Sequence, residues 1–70
     1  MQALTEAMQG EIYTIKWLFG VPEVLNFMAD CQIKEGSVIQ VMKKYRDCLI
    51  ISAGERRIAL SREVADRIKV

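Results

Sequence analysis

The stretch "GERRIALSREVADRIKV", Gly54 to Val70, changes its hydrophobic period part-way along. Ile58 and Leu60 alternate with polar or small neighbours, the two-residue period of a strand. Val64, Ala65 and Ile68 recur at the three-to-four spacing of a helix. Ser61 stands at the change, and its hydroxyl can accept a hydrogen bond from an amide that a helix start leaves unpaired. A helical turn is therefore predicted from Ser61 to about Arg67. Glu63 and Asp66 are expected near the positive end of its dipole, Arg67 and Lys69 near the negative end. Such a turn would lay Val64, Ala65 and Ile68 across an open end of a sheet. Ile68 to Val70 would then pair beside the first strand and cover its exposed edge.

Working back toward the amino terminus, the same two-residue period recurs. Arg56 to Leu60 is one strand, entered through a turn at Ala53-Gly54-Glu55. "CLIIS", Cys48 to Ser52, is another, entered through Arg46-Asp47. Val38 to Tyr45 is a third, with Ile39 and Val41 on one face and Gln40 and Lys44 on the other. Loops this short between alternating runs predict an antiparallel meander. Upstream, Pro22 suits a first helical turn because its missing N–H would be unpaired there. Val24, Leu25, Phe27, Met28 and Cys31 then form an apolar stripe, so one short helix is read over about Pro22 to Cys31. Ile33 anchors its exit and Gly36 turns the chain into the next strand.

"EIYTIKWLF", Glu11 to Phe19, is rich in β-branched and aromatic residues and reads as the first strand, bounded by Gly10 and Gly20. Strict alternation puts Tyr13, Ile15, Trp17 and Phe19 on one face, Ile12 and Leu18 on the other. Both faces cannot be buried in a barrel of this size. The Trp17–Phe19 end is expected either exposed or capped by the helix that starts at Pro22. Before it, Thr5 is expected to begin a single turn within Leu4 to Met8. These parts make a mainly β fold with short helices. The economical closure is a small, five-stranded, partly open β-barrel of SH3-like type.

Seventy residues make one domain, 1–70, with a compact core. No apolar run approaches the length of roughly 18 residues needed to cross a bilayer. No basic segment leads into an apolar stretch at the amino terminus, so a cytoplasmic location without membrane insertion is expected. The net charge of +1 argues against a dedicated nucleic-acid partner. The charge is uneven, however. Residues 1–30 set Lys16 against Glu6, Glu11, Glu23 and Asp30, and every other Lys or Arg lies beyond them.

The chain contains no histidine, the usual base for activating a nucleophile. It has no GxxxxGK[ST] or GxGxxG to cradle a phosphate. A non-enzymatic protein without cofactor is the expectation. Cys31 and Cys48 do not form a CxxC and are expected as reduced thiols used as small core hydrophobes. With no imidazole and no clustered thiolates, no metal-ligand set is assigned.

The order of parts, with "MQGE" before the first strand, "IKEGSVIQVM" after the helix and "IALSREVADRIKV" at the end, resembles the FeoA family of the bacterial ferrous iron transport system. The likeness covers essentially the whole chain. The family usually ends its helix with an apolar–Gly pair; here that place reads Cys31-Gln32, and a left-handed Gln32 would cost about 1 kcal/mol relative to glycine. The resemblance implies an SH3-like accessory protein that assists FeoB, the membrane GTPase and ferrous iron permease. Related barrels form the carboxyl-terminal domain of iron-dependent repressors. The candidate partner-binding residues are Trp17, Phe19, Phe27 and Met28, together with Lys43, Lys44 and Arg46 on the basic hairpin. Two alternatives stand beside this reading. One is a small nucleic-acid-binding β-barrel, using Lys43, Lys44, Arg46, Arg56 and Arg57 on one hairpin face with Tyr45 to stack. The other is an SH3-like regulatory domain that binds a transition metal directly.

Overall fold

The computed structural model describes residues 1–70. After a 3₁₀ turn at Leu4–Glu6 come β1 (Ile12–Thr14), β2 (Trp17–Leu18), α1 (Pro22–Asp30), β3 (Val38–Lys44), β4 (Cys48–Ala53), β5 (Arg56–Ser61), α2 (Arg62–Ala65) and β6 (Ile68–Lys69). A four-stranded antiparallel sheet runs β1-β3-β4-β5, and β2 pairs with β6 in a second sheet. Because β1 leads directly into β2, the two sheets form one ribbon from β5 round to β6. This is the partly open, mainly β barrel that the hydrophobic pattern implies, with six strands rather than five because the first run is divided into β1 and β2.

The meander follows the alternation closely. Leu49, Ile51 and Ala53 of β4 point inward and are buried, whereas Cys48, Ile50 and Ser52 between them are half-buried on the outer face. Ile39 and Val41 from β3 and Leu60 from β5 complete that wall. Met28, Ile33, Ile15, Leu4 and Ile68 close over it. Each large side chain withdrawn from water in this way contributes about 1.5–3 kcal/mol.

The first strand differs from its reading as one continuous run. It pairs with β3 through Thr14, and Ile15 N–H still donates to the Ser37 carbonyl at 2.8 Å, but Lys16 N–H donates to the Lys69 carbonyl at 2.8 Å. The chain thus changes partners between adjacent residues, and its alternation breaks there. Tyr13 and Ile15 share one face, as the alternation requires, and that face is the inner one. Beyond the break Leu18 packs against the core while Trp17 and Phe19 turn outward. β3 carries a second irregularity, a bulge between Val41 and Lys43. Lys43 then lies opposite Ile50, and Lys44 lies opposite Leu49 rather than sharing Gln40's face.

The helix ends explain themselves locally. In α1, Gln32 N–H donates to the Ala29 carbonyl at 3.0 Å and Ile33 N–H to the Met28 carbonyl at 2.8 Å. This is a Schellman cap, with the buried pair Met28 and Ile33 as its apolar contact. Gln32 occupies the left-handed position at φ 67°, as its place in the sequence requires. At α2, Val64 N–H donates to Ser61 Oγ at 3.2 Å, the expected cap. The helix is shorter than predicted, so Asp66 sits at its carboxyl end, not its positive end. There Asp66 is held by partners: its carboxylate accepts from Thr5 Oγ1 at 3.0 Å and its carbonyl from Lys69 Nζ at 2.9 Å. The first turn likewise starts at Leu4, inside which Thr5 is a tether to Asp66 and not a cap.

β6 pairs with β2 as anticipated, Leu18 opposite Ile68 and Trp17 opposite Lys69. Val70 goes instead to the amino terminus, exchanging backbone hydrogen bonds of 2.8 and 3.0 Å with Gln2. Both cysteines are free. Cys31 is in the core, but Cys48 is only half-buried because it opens β4 on the outer face opposite Ser61. No helix is long and apolar enough to cross a membrane.

Candidate functional site

Turning outward past the break, Trp17 and Phe19 place two aromatic rings on the surface of the small β2–β6 sheet. Their centroids lie 4.9 Å apart with the planes tilted by 32°, within the range of favourable offset contacts. Trp17 remains 46% exposed and Phe19 42%. Lys69, opposite Trp17 in the register, holds its ammonium 6.0 Å from the Phe19 ring centroid. That distance is the outer limit of a cation–π contact. The same ammonium donates to the Asp66 carbonyl, which fixes it there.

Beside the rings lies an open groove of about 320 Å³ between β2 and α1. Trp17 and Leu18 form one wall, Leu25 and Ala29 the other, and Ile33 lies between them with Lys34 and Glu35. Leu25 and Ala29 share this wall because residues four apart stack on one helix face. The groove is apolar, has charges of both signs beside it and is open to solvent. Such a surface suits an apolar side chain of another protein better than a reacting small molecule.

The residues singled out from the sequence divide among four places. Trp17 and Phe19 are brought together, with Trp17 lining the groove and Phe19 stacked beside it outside the lining. Met28 is 1% exposed. It cannot contact a partner, because the helix turns it into the core to meet Ile33. Phe27 is 60% exposed, but at about 100° per residue it lies roughly opposite the Leu25–Ala29 face of α1. Lys43, Lys44 and Arg46 are exposed at the β3–β4 turn, where Lys44 N–H donates to Gln9 Oε1 at 2.9 Å. β3 separates that turn from the groove, since its Val38 end adjoins Thr14 and its Lys44 end lies about 20 Å further along.

The basic residues do not form one face. Arg56 and Arg57 follow the β4–β5 turn at the opposite end of β4 from Arg46. The continuous cationic track that nucleic acid requires is therefore split in two. No three Cys, Asp or Glu side chains gather as a metal-ligand group. Sequence reasoning missed Leu25, Ala29 and Lys69 as site residues. The period of α1 carried a signal for the first two, since Leu25, at one margin of the apolar stripe, has Ala29 one turn further along the same side.

Residues 2–70 match the family model for the FeoA domain. Among solved structures, an iron uptake regulatory protein (FeoA) is 24% identical with a TM-score of 0.84, over 94% of this chain and 89% of that one. The FeoA protein from Chlorobium tepidum is 17% identical with a TM-score of 0.90, over 97% and 67%. A zinc complex of FeoA from Stenotrophomonas maltophilia, an SH3 domain protein, is 16% identical with a TM-score of 0.84, over 100% and 89%. At these identities the structural likeness is one of fold. No curated protein sequence matches the chain.

Proposed function

This chain belongs to the FeoA family, and on that premise we propose that it is a non-enzymatic accessory protein of bacterial ferrous iron transport. It docks on a cytoplasmic region of a FeoB-type membrane GTPase and ferrous iron permease and modulates it there. The observation that carries this reading is the Trp17–Phe19 pair, exposed beside an apolar groove. A small barrel that keeps two large rings in water forgoes the stabilisation of burying them, and an exposed aromatic pair at a concavity is what a protein partner's anchor residue fits. Iron chemistry then resides in the permease, in keeping with a chain that lacks histidine. Lys43, Lys44 and Arg46 contribute a separate, longer-range attraction from the far end of the sheet, which affects association rate more than residence time.

The test is capture of the protein by the immobilised cytoplasmic part of FeoB. Trp17→Ala or Phe19→Ala is expected to lower retention about tenfold or more, the effect of losing a hot-spot aromatic. Lys43→Ala with Lys44→Ala is expected to reduce retention only at low salt. Retention that is absent, or that ignores both aromatic substitutions, overturns the reading.

A further inference from the structure

The two ends of the ribbon are treated differently. At the β6 end, Ala3 bridges Lys69 and Gln2 exchanges hydrogen bonds with Val70, so the outer edge is covered. At the other end, β5 runs from Arg56 to Ser61 with β4 as its one strand neighbour. The register shows which of its backbone groups are spent. Ala53 lies opposite Arg56 across the Gly54-Glu55 turn, where Gly54 takes the positive φ of 63° that a two-residue hairpin needs at its first turn position. Counting from that closing pair, Arg56, Ile58 and Leu60 exchange hydrogen bonds with β4. The N–H and C=O groups of Arg57 and Ala59 are directed away from it. Both residues are exposed.

Natural edges of this length are ordinarily shortened, bulged, covered or marked by charged side chains, and here the charges are Arg56 and Arg57. This one is regular along its whole pairing with β4. Its side chains also have a pattern. Arg57 lies on the outer face beside Ser52, which in turn neighbours Gln40, so no acid faces it across the sheet. Ala59 is small and leaves room beside the half-buried Ile50. No carboxylate occurs anywhere from Arg56 to Arg62.

We propose that the open edge of β5 accepts an extended acidic segment of another protein as an added strand. The backbone groups of Arg57 and Ala59 supply the ladder, Arg57 selects a carboxylate on the facing residue, and the space over Ala59 takes an apolar side chain of the incoming strand. Main-chain bonds of this kind give affinity while alternate side chains give selectivity. A second copy of this chain fits less well, because its own edge from Arg56 to Arg62 offers no carboxylate to face Arg57. This site is separate from the Trp17–Phe19 groove and does not depend on it.

The test uses the full chain labelled with nitrogen-15 and a short synthetic peptide alternating Glu with Val, set against its Lys-for-Glu counterpart. With the acidic peptide, the amide protons of Arg57 and Ala59 are expected to exchange about tenfold more slowly with solvent, as they do on entering a ladder. The basic peptide is expected to bind about tenfold more weakly, and Arg57→Glu to reverse that preference. Ala59→Pro removes an N–H from the open side of an edge strand, where proline is tolerated, and is expected to abolish binding. Equal binding of the two peptides, or binding without protection at Arg57 and Ala59, overturns the proposal. So does protection that appears without peptide and rises with protein concentration, the signature of self-pairing.

Discussion

Trp17 and Phe27 are both large aromatics with about half their surface in water, yet α1 separates them. Trp17 shares its side of the helix with Leu25, Ala29 and Ile33, and together they make a concavity. Phe27 projects from the other flank, at 60% exposure and away from those residues. Only the first arrangement offers a partner a pocket that water must leave, and desolvation in a pocket is what turns an exposed ring into a binding anchor. Exposure alone therefore does not identify a site. The company a ring keeps does.

The contrast can be broken most severely at its base. Ile33 is fully buried, caps α1 against Met28 and also lines the groove. Ile33→Ala is expected to cost about 2–4 kcal/mol by urea unfolding, a buried-cavity effect. A loss near zero would mean that the groove flank is not built on the core. Trp17→Ala comes next, at about 1–2 kcal/mol for a half-buried ring, with loss of retention on FeoB. Gln32→Gly acts on the joint between the two flanks. Relieving a left-handed Gln gains about 1 kcal/mol, and greater freedom of the unfolded chain returns about half of it. A net rise of about 0.5 kcal/mol is expected from these two effects, with binding unchanged. Phe27→Ala has the smallest effect. It should alter stability by less than about 0.5 kcal/mol, as exposed substitutions do, and leave FeoB binding as it was. A binding loss equal to that of Trp17→Ala would erase the distinction between the flanks.

Much of this fold is legible in the sequence, and the reason is local. The meander from Val38 to Ser61 alternates with short turns, and each strand reports its own inner face. Ser61 announces a cap, and Cys31-Gln32-Ile33 forms a Schellman end despite lacking glycine, because burial of Ile33 against Met28 outweighs the strain at Gln32. The failures share a non-local cause. Ile15 and Lys16 are ordinary strand residues; their change of partner is imposed by Ser37 and Lys69, remote in sequence. The bulge at Met42 and the tether from Thr5 to Asp66 are likewise set by tertiary neighbours. From sequence Met28 reads as a contact residue, because an apolar stripe and an exposed apolar face look alike until the direction of the core is known. Residues of the groove were missed for the same reason, since a concavity between β2 and α1 is a property of their docking and of neither alone.

The most direct test uses the chain's one tryptophan. Incorporated as 5-fluorotryptophan, Trp17 gives a fluorine NMR signal that reports from the wall of the groove. Docking of the aromatic face predicts that this signal shifts and broadens as the cytoplasmic part of FeoB is added, and that Phe19→Ala weakens the response while Phe27→Ala does not. A signal that stays in place, whether or not a complex forms, contradicts the account.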